Sequence, residues 1–301
     1  MRAVVIHETG GPEVLSLEQV ERPEPGEGEV LIAVKVASVN PIDWKIRRGV
    51  RETAMPKILG NDGSGVVEVS RAEGFVAGEE VFGIVPSGGY AQFATAGAGT
   101  IAKKPAGLSH AQAACLPVAG MTAWQALFDQ GGLQAGQRAL IAGGAGGVGH
   151  LAVQLAKNAG AHTIATGSAR NREFILGLGA DEYIDYTSQD VSEVAKDVDV
   201  AFDAVGGQTT ASLVPTLREG GVLVTIANAP PEQAAAERGA RALVFSMSPK
   251  SEQLERLAAL VLEGTVRVEI AQTFALEDAR KAHELSEAGH TRGKIVLTVS
   301  D

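Results

Sequence analysis

The chain has 301 residues, 45% of them hydrophobic and 21% charged, and a formal net charge of −10. That length and balance fit two packed domains of soluble composition. An acidic chain without a basic run is a poor partner for nucleic acid, whose phosphates need clustered Lys and Arg, and no apolar run is long enough for a transmembrane helix.

Residues 1–6 (MRAVVI) are too short an apolar run for a signal peptide. The single cysteine, Cys115, can close no internal disulfide, so a reducing cytoplasm is the expected location. One cysteine also excludes a four-cysteine zinc site. The histidines at 7, 110, 150, 162, 283 and 290 show no close ligand spacing. No metal is expected.

In chain order, the first hundred residues read as β-rich. Residues 3–6 form a short apolar run, and Val30, Ile32, Val34 and Val36 alternate with Leu31, Ala33 and Lys35 at the period of a strand. Pro23, Pro25, Gly26 and Gly28 bound that strand as a turn cluster. Runs at 64–69 and 81–85 follow between glycine-rich turns, which predicts a compact barrel or bent sheet. Ser109 and Gln112 form a capping box ahead of a helix carrying Ala113, Ala114 and Leu116.

From residue 138 the pattern becomes strand, helix, strand. Strands are predicted at 138–142, 162–166, 182–184, 199–203, 222–226 and 242–245. Helices fall at 148–159, 172–178 and near Ser212, with a short one at 234–236. This is a doubly wound parallel six-stranded sheet. Ser248 and Pro249 cap a helix with Leu254, Leu257, Ala258, Val261 and Leu262 facing inward. One more helix (276–285) and a closing strand (295–299) remain. A late strand after a complete six-stranded unit predicts that the chain crosses back to finish the first domain. The predicted division is 1–118 with 267–301 as a β-rich domain, and 119–266 as the nucleotide domain.

The strongest motif is Ala142-Gly143-Gly144-Ala145-Gly146-Gly147-Val148-Gly149. Gly144, Gly146 and Gly149 satisfy GxGxxG between a strand and an amphipathic helix. One glycine turns the chain, one lets backbone approach a pyrophosphate, and one lets helix pack on strand. The helix N-terminus then offers free N–H groups and a positive dipole end. Gly144, Ala145, Gly146, Gly147, Val148 and Gly149 are therefore the predicted phosphate cradle. The second strand ends in Gly167-Ser168-Ala169-Arg170-Asn171-Arg172, with no carboxylate before Glu173. A carboxylate there would bind a ribose 2′-OH. Ser168 with Arg170 or Arg172 suits a 2′-phosphate instead, so NADP(H) is the expected cofactor.

Several segments together resemble the zinc-independent quinone oxidoreductases, related to zeta-crystallin, of the medium-chain dehydrogenase/reductase superfamily. They include Val39-Asn40-Pro41-Ile42-Asp43-Trp44-Lys45, Gly78-Glu79-Glu80-Val81-Phe82-Gly83, Gly88-Gly89-Tyr90-Ala91 and Ala119-Gly120-Met121-Thr122-Ala123-Trp124. The glycine loop, Leu178-Gly179-Ala180-Asp181, Ile184-Asp185-Tyr186, Asp203-Ala204-Val205-Gly206-Gly207 and Gly293-Lys294-Ile295-Val296-Leu297 complete the set. The resemblance implies a GroES-like catalytic domain completed by the C-terminal strand, a Rossmann domain between, and a homodimer formed through an edge strand near 242–245. Asn40 stands where zinc-containing relatives carry a cysteine ligand, and Gly60-Asn61-Asp62 stands for their Gly-His-Glu. Asn is a poor zinc ligand beside thiolate or imidazole.

The implied reaction is hydride transfer from NADPH to a quinone or to the activated C=C bond of an α,β-unsaturated carbonyl. The protein must orient the carbonyl and donate a hydrogen bond to it. Asn40 is the first candidate donor, placed near the nicotinamide by the resemblance; Lys45 and Trp44 would line the same cleft and Asp43 would orient them. Tyr90 reads either as a proton donor or as a buried turn aromatic, and Cys115 as core. The resemblance also implies cofactor contacts at Thr122, Tyr186, Lys294, Val205, Ala227 and Phe245, with Asn228 in the segment passing the nicotinamide. Two alternatives stay open at this point: a biosynthetic enoyl reductase and a non-catalytic NADPH-binding protein.

Overall fold

A computed structural model describes residues 1–227 and 229–300; Asn228 lies outside the described residues. The chain divides into two compact units. One comprises Met1–Met121, Pro249–Gly264 and Val268–Asp301; the other comprises Thr122–Ser248 and Thr265–Arg267.

The first unit is built on a seven-stranded sheet. Its path runs Ile270–Ala275, Lys294–Thr298, Glu29–Val39, Asp62–Ser70, Glu80–Ile84 and Ile101–Lys103, with Phe93–Gly97 also paired to Glu29–Val39. The eleven-residue strand Glu29–Val39 is the spine. Its β-branched Val30, Ile32 and Val34 are fully buried and head the core with Tyr90, Ile101 and Leu297. The closing strand lies antiparallel to it, with Ile295 opposite Val39, so the C-terminus completes the first unit. A smaller sheet of Ser16–Gln19, Arg2–Ile6 and Lys57–Ile58 stands apart from this path.

The second unit holds six parallel strands. In chain order they are Arg138–Ala142, His162–Gly167, Glu182–Asp185, Val198–Asp203, Leu217–Thr225 and Arg241–Val244. Their spatial order is 3-2-1-4-5-6, the doubly wound arrangement whose order reverses between its first and fourth strands. Val200, Ala201 and Phe202 are buried on both faces, as a parallel sheet covered by helices requires.

Three features differ from the sequence expectation. The helix Ser251–Leu262 segregates with the first unit rather than with the nucleotide unit. Its Leu257 packs directly on Gly120, where an added Cβ would come within 2.8 Å of Cδ1. That helix begins at Ser251 with Lys250 as N-cap, two residues beyond Pro249. The strand Ile270–Ala275 has no apolar alternation and is exposed at most positions, so no period-2 signal marks it. A seven-residue helix, Pro41–Arg47, also escapes hydrophobic pattern, because its buried residues are Asp43 and Arg47.

Two buried glutamines pin the ends of the second unit. Gln125 donates to the Ser248 carbonyl at 2.7 Å and accepts from its N–H at 3.0 Å. Gln154 makes the same paired contact with Arg267, at 2.9 and 2.8 Å. Each side-chain amide acts as a neighbouring strand would, satisfying a backbone N–H and C=O together.

Candidate active site

The first unit contains a buried polar cluster at the junction of its central strands. Ser38 and Asp62 face each other across the ladder, and the Ser38 hydroxyl donates to Asp62 Oδ2 at 2.6 Å. Asn40, the N-cap of helix Pro41–Arg47, donates from Nδ2 to the same oxygen at 2.8 Å. Lys294, opening the closing strand, donates to Asn40 Oδ1 at 2.5 Å and lies 3.9 Å from Asp62 Oδ2. The Val118 N–H reaches Asp62 Oδ1 at 2.9 Å. Asp62 is fully buried and Lys294 is 3% exposed. Burial pushes the Asp62 carboxyl up, and the Lys294 ammonium opposes that.

A second carboxylate, Asp43, is also fully buried. Its Oδ2 accepts from the Asn40 N–H at 2.8 Å, closing the helix N-terminus, and from the Tyr90 hydroxyl at 3.0 Å. Its Oδ1 accepts from Asn61 Nδ2 at 3.2 Å. Burial pushes Asp43 up to about 7; the Asn40 N–H pulls the other way and the Asp62 charge adds to the rise. Behind Tyr90, His283 Nε2 lies 3.3 Å from the phenol oxygen, and His283 Nδ1 faces Arg47 Nε at 3.3 Å. Arg47, fully buried, also donates to the Gly10 carbonyl and to Glu287. Burial drives the His283 imidazole down to about 4, with the Arg47 charge adding to the drop, so the ring is neutral near pH 7.

The sequence-predicted residues of this unit therefore take distinct places. Asn40 is 2% exposed and both ends of its amide are used inside the cluster, so it is not a free donor. Asp43 sits beside it. Lys45 is partly exposed, its ammonium 5.7 Å from the Trp44 ring centroid. Trp44 Nε1 is buried without a hydrogen-bond partner among the described residues. Tyr90 is the buried aromatic, its hydroxyl turned to Asp43. Cys115 is core, its thiol pushed up to about 12 by burial. Sequence reasoning passed over Ser38, Asp62 and His283 as site residues. The one available signal was polar residues at inward positions of otherwise apolar elements.

In the second unit the glycine loop turns between the first strand and helix Gly149–Asn158. Gly143 takes φ +74°, and its N–H and that of Gly144 bond to Thr166 at 3.2 and 2.9 Å. The N–H groups of Ala145, Gly147 and Val148 meet no protein acceptor among the described residues. With the helix N-terminus they form a donor set suited to a pyrophosphate. At Gly149 an added Cβ would lie 2.1 Å from the Gly143 carbonyl, so the cradle admits only glycine there. His150 is buried against the Gly146 carbonyl at 2.9 Å, bracing the loop.

Around this cradle, Asp203 ends the fourth strand and accepts from the Val205 and Gly206 N–H groups at 2.8 and 2.9 Å. That fixes the turn exposing Val205, which lies against Gly143. Ala227 and Phe245 are held at neighbouring strand ends through Thr225. Ser168 caps the turn after the second strand and accepts from Asn171 at 3.3 Å; Arg170, Arg172 and Tyr186 are exposed on that side of the sheet. Thr122 is 5% exposed.

Comparison with known proteins gives a consistent picture. Residues 26–123 match the family described as alcohol dehydrogenase GroES-like domain, and residues 178–297 the one described as zinc-binding dehydrogenase. A chloroplast envelope quinone oxidoreductase homolog of Arabidopsis thaliana is 37% identical over 96% of this chain and 95% of its own length. An NADPH-dependent alkenal/one oxidoreductase of the same plant is 34% identical over 99% of this chain and 79% of its own. The solved quinone oxidoreductase from Coxiella burnetii superposes with a TM-score of 0.94 at 38% identity, covering 100% of this chain and 99% of that one. Zinc does not fit this chain's donors: no three His, Cys, Asp or Glu side chains are grouped for a metal among the described residues.

Proposed function

The chain belongs to the quinone oxidoreductases of the medium-chain dehydrogenase/reductase superfamily, and from that membership we propose that it is an NADPH-dependent reductase of quinones or of the activated C=C bond of α,β-unsaturated carbonyls. The observation that carries this reading is the Gly143–Gly149 cradle at the order reversal of a 3-2-1-4-5-6 sheet. NADPH supplies the hydride; the acceptor takes it together with a proton from solvent.

The chain's own residues bind and orient. Ala145, Gly147 and Val148 present N–H groups to the pyrophosphate, and Ser168 with Arg170 and Arg172 meets the 2′-phosphate. Asp203 holds the Val205 turn and Thr225 the backbone near Phe245, where the nicotinamide would lie. In the first unit Asn40, Lys294 and Asp62 form a preorganised polar wall, and Lys45 supplies a mobile positive charge. The acceptor is a small molecule, and among the described residues no helix is long and apolar enough to cross a membrane.

The finer readings follow the same reasoning. Residues 1–121 with 249–264 and 268–301 make up the acceptor-side, GroES-like domain, and residues 122–248 with 265–267 form the cofactor domain. The enzyme works in the cytoplasm. Its edge strand Arg241–Val244, with Val244 51% exposed, pairs with that of a second copy.

The test is NADPH consumption against benzoquinones, naphthoquinones, alkenals and cyclic enones. Turnover with at least one class is expected. Binding of NADPH with no acceptor reduced above background would overturn the reading in favour of a binding protein.

A further inference from the structure

Most polar side-chain atoms of the buried cluster in the first unit are paired within it. The Ser38 hydroxyl goes to Asp62, the Asn40 amide is divided between Asp62 and Lys294, and the Tyr90 hydroxyl goes to Asp43. Asn61 differs. It is partly exposed, and its only side-chain hydrogen bond among the described residues runs from Nδ2 to Asp43 Oδ1 at 3.2 Å. An amide nitrogen carries two hydrogens about 120° apart. One is spent on Asp43; the other points away from the carboxylate and meets no acceptor among the described residues.

The polarity of that contact is dictated from behind. A guanidinium only donates, so His283 Nδ1 must accept from Arg47. The imidazole hydrogen then sits on Nε2 and is donated to the Tyr90 oxygen, and the phenol hydrogen goes on to Asp43. When ionised, Asp43 receives hydrogens from Tyr90 and from the Asn40 N–H on Oδ2 and accepts from Asn61 on Oδ1; a proton taken up by the carboxyl has only Oδ1 open to it and would reverse that contact, so kcat should rise with pH through about 7. An acceptor there keeps the Asn61 nitrogen, not its oxygen, turned inward, which fixes where the second N–H projects.

We propose that Asn61 is a catalytic residue that donates this second N–H to the carbonyl oxygen of the acceptor, and that Tyr90 and His283 are positioning residues acting on it through Asp43. The inference rests on the reductase reading above. Hydride arriving at a quinone or enone leaves negative charge on that oxygen, so a donor already in place stabilises the transition state more than the bound substrate. Asn40, the first candidate from sequence, is 2% exposed and directs its amide hydrogens inside the cluster, to Asp62 at 2.8 Å and to Ser38 at 3.5 Å.

The test uses Asn61→Ala, Asn61→Asp and Asn61→Gln with the best acceptor found for the wild type. Loss of kcat by at least about tenfold is expected for Ala and Asp, with partial recovery in Gln. That is less than the ~10²–10³ of a fully water-excluded donor because Asn61 is partly exposed. NADPH affinity should hold within about twofold. A second readout needs no turnover: p-nitrophenolate, which carries a full negative charge on its oxygen, is titrated into the NADP⁺-loaded protein by absorbance. It should bind the wild type and Gln variant more tightly than Ala or Asp.

Tyr90→Phe tests the positioning arm. Its kcat should fall with KM little changed, and the rise of kcat with pH should move to higher pH. Asp43 then loses a donor while still facing Asp62, Lys294 and a neutral His283. An active wild type whose Asn61 variants keep kcat and p-nitrophenolate affinity within twofold would overturn the inference alone. A wild type that reduces no quinone or enone would overturn the reading beneath it.

Discussion

Lys294 Nζ donates to Asn40 Oδ1 at 2.5 Å while lying 3.9 Å from Asp62 Oδ2, with the lysine 3% exposed and the aspartate fully buried. A buried ion pair is poor evidence of net stability, but removing one member strands the other charge, at about 3–5 kcal/mol. Lys294→Met should therefore destabilise the first unit by roughly 3 kcal/mol. Lys294→Met with Asp62→Asn should cost less than the sum of the two single changes. Urea unfolding in a Trp124→Phe background reads this, because Trp44 then reports on the first unit. Additive costs would show the two charges to be independent.

The buried carboxyl of Asp43 gives stability a pH dependence of unusual sign. Its ordinary value is 3.8 and burial raises it to about 7 in the folded chain. Between those values the folded state holds the extra proton. The contribution is therefore full below about 4 and is lost as pH rises through 7. Asp43→Asn removes this slope. Thermal unfolding between pH 5 and 8 should show the wild type losing a few degrees relative to the variant. Parallel curves would mean that Asp43 is ionised throughout.

His283 runs in the opposite sense. Its folded value lies near 4 against 6.5 for a free imidazole. The stability of the neutral ring is present above 6.5 and lost as pH falls through 4. Over that window the two slopes partly cancel. His283→Gln, which keeps an acceptor for Arg47, should leave the Asp43 slope uncompensated. Between pH 6.5 and 4.5 the variant should lose less stability than the wild type. An identical acid response in both proteins would remove the imidazole from the account.

The six strands of the second unit were legible because a parallel sheet writes itself as short apolar runs separated by helical periods, with GxGxxG marking the turn. Ser109 and Gln112 likewise announced their helix. The candidate site of the first unit was legible only in part. Asn40 and Asp43 stood out through family resemblance, yet their partners arrive from strands and helices far along the chain. Asp62 is 22 residues from Asn40, Lys294 is 254, and His283 is 193 from Tyr90. No local period encodes such pairings. The helix Ser251–Leu262 was legible as a helix but not as a member of the first unit, because Gly120 offers a hydrophobic pattern no clue that a leucine packs on it.

The end of the second strand is where cofactor choice is expected to be set. Arg170 and Arg172 are exposed there, and Ser168 accepts from Asn171 while keeping its own hydrogen to donate. A double change of Arg170 and Arg172 to Ala should weaken NADPH binding by roughly tenfold or more, given ~1.5–3 kcal/mol for a charged hydrogen bond. NADH affinity should hardly move. Fluorescence titration with both nucleotides measures this. Equal loss for the two would place the arginines on a feature they share.

The glycine cradle makes the most stringent demand. At Gly149 a methyl group would sit 2.1 Å from the Gly143 carbonyl oxygen and 2.8 Å from its carbon. Both are backbone atoms of the same loop, so no side chain can swing aside to relieve the clash. The loop itself must move. Gly143 is already at φ +74° and is tied to Thr166, so motion there breaks contacts with the second strand. Gly149→Ala should abolish nucleotide binding and lower the unfolding temperature of the second unit, read by Trp124 fluorescence in a Trp44→Phe background. If Gly149→Ala kept nucleotide affinity within a few-fold, the close approach of helix to turn would not be what builds the phosphate site.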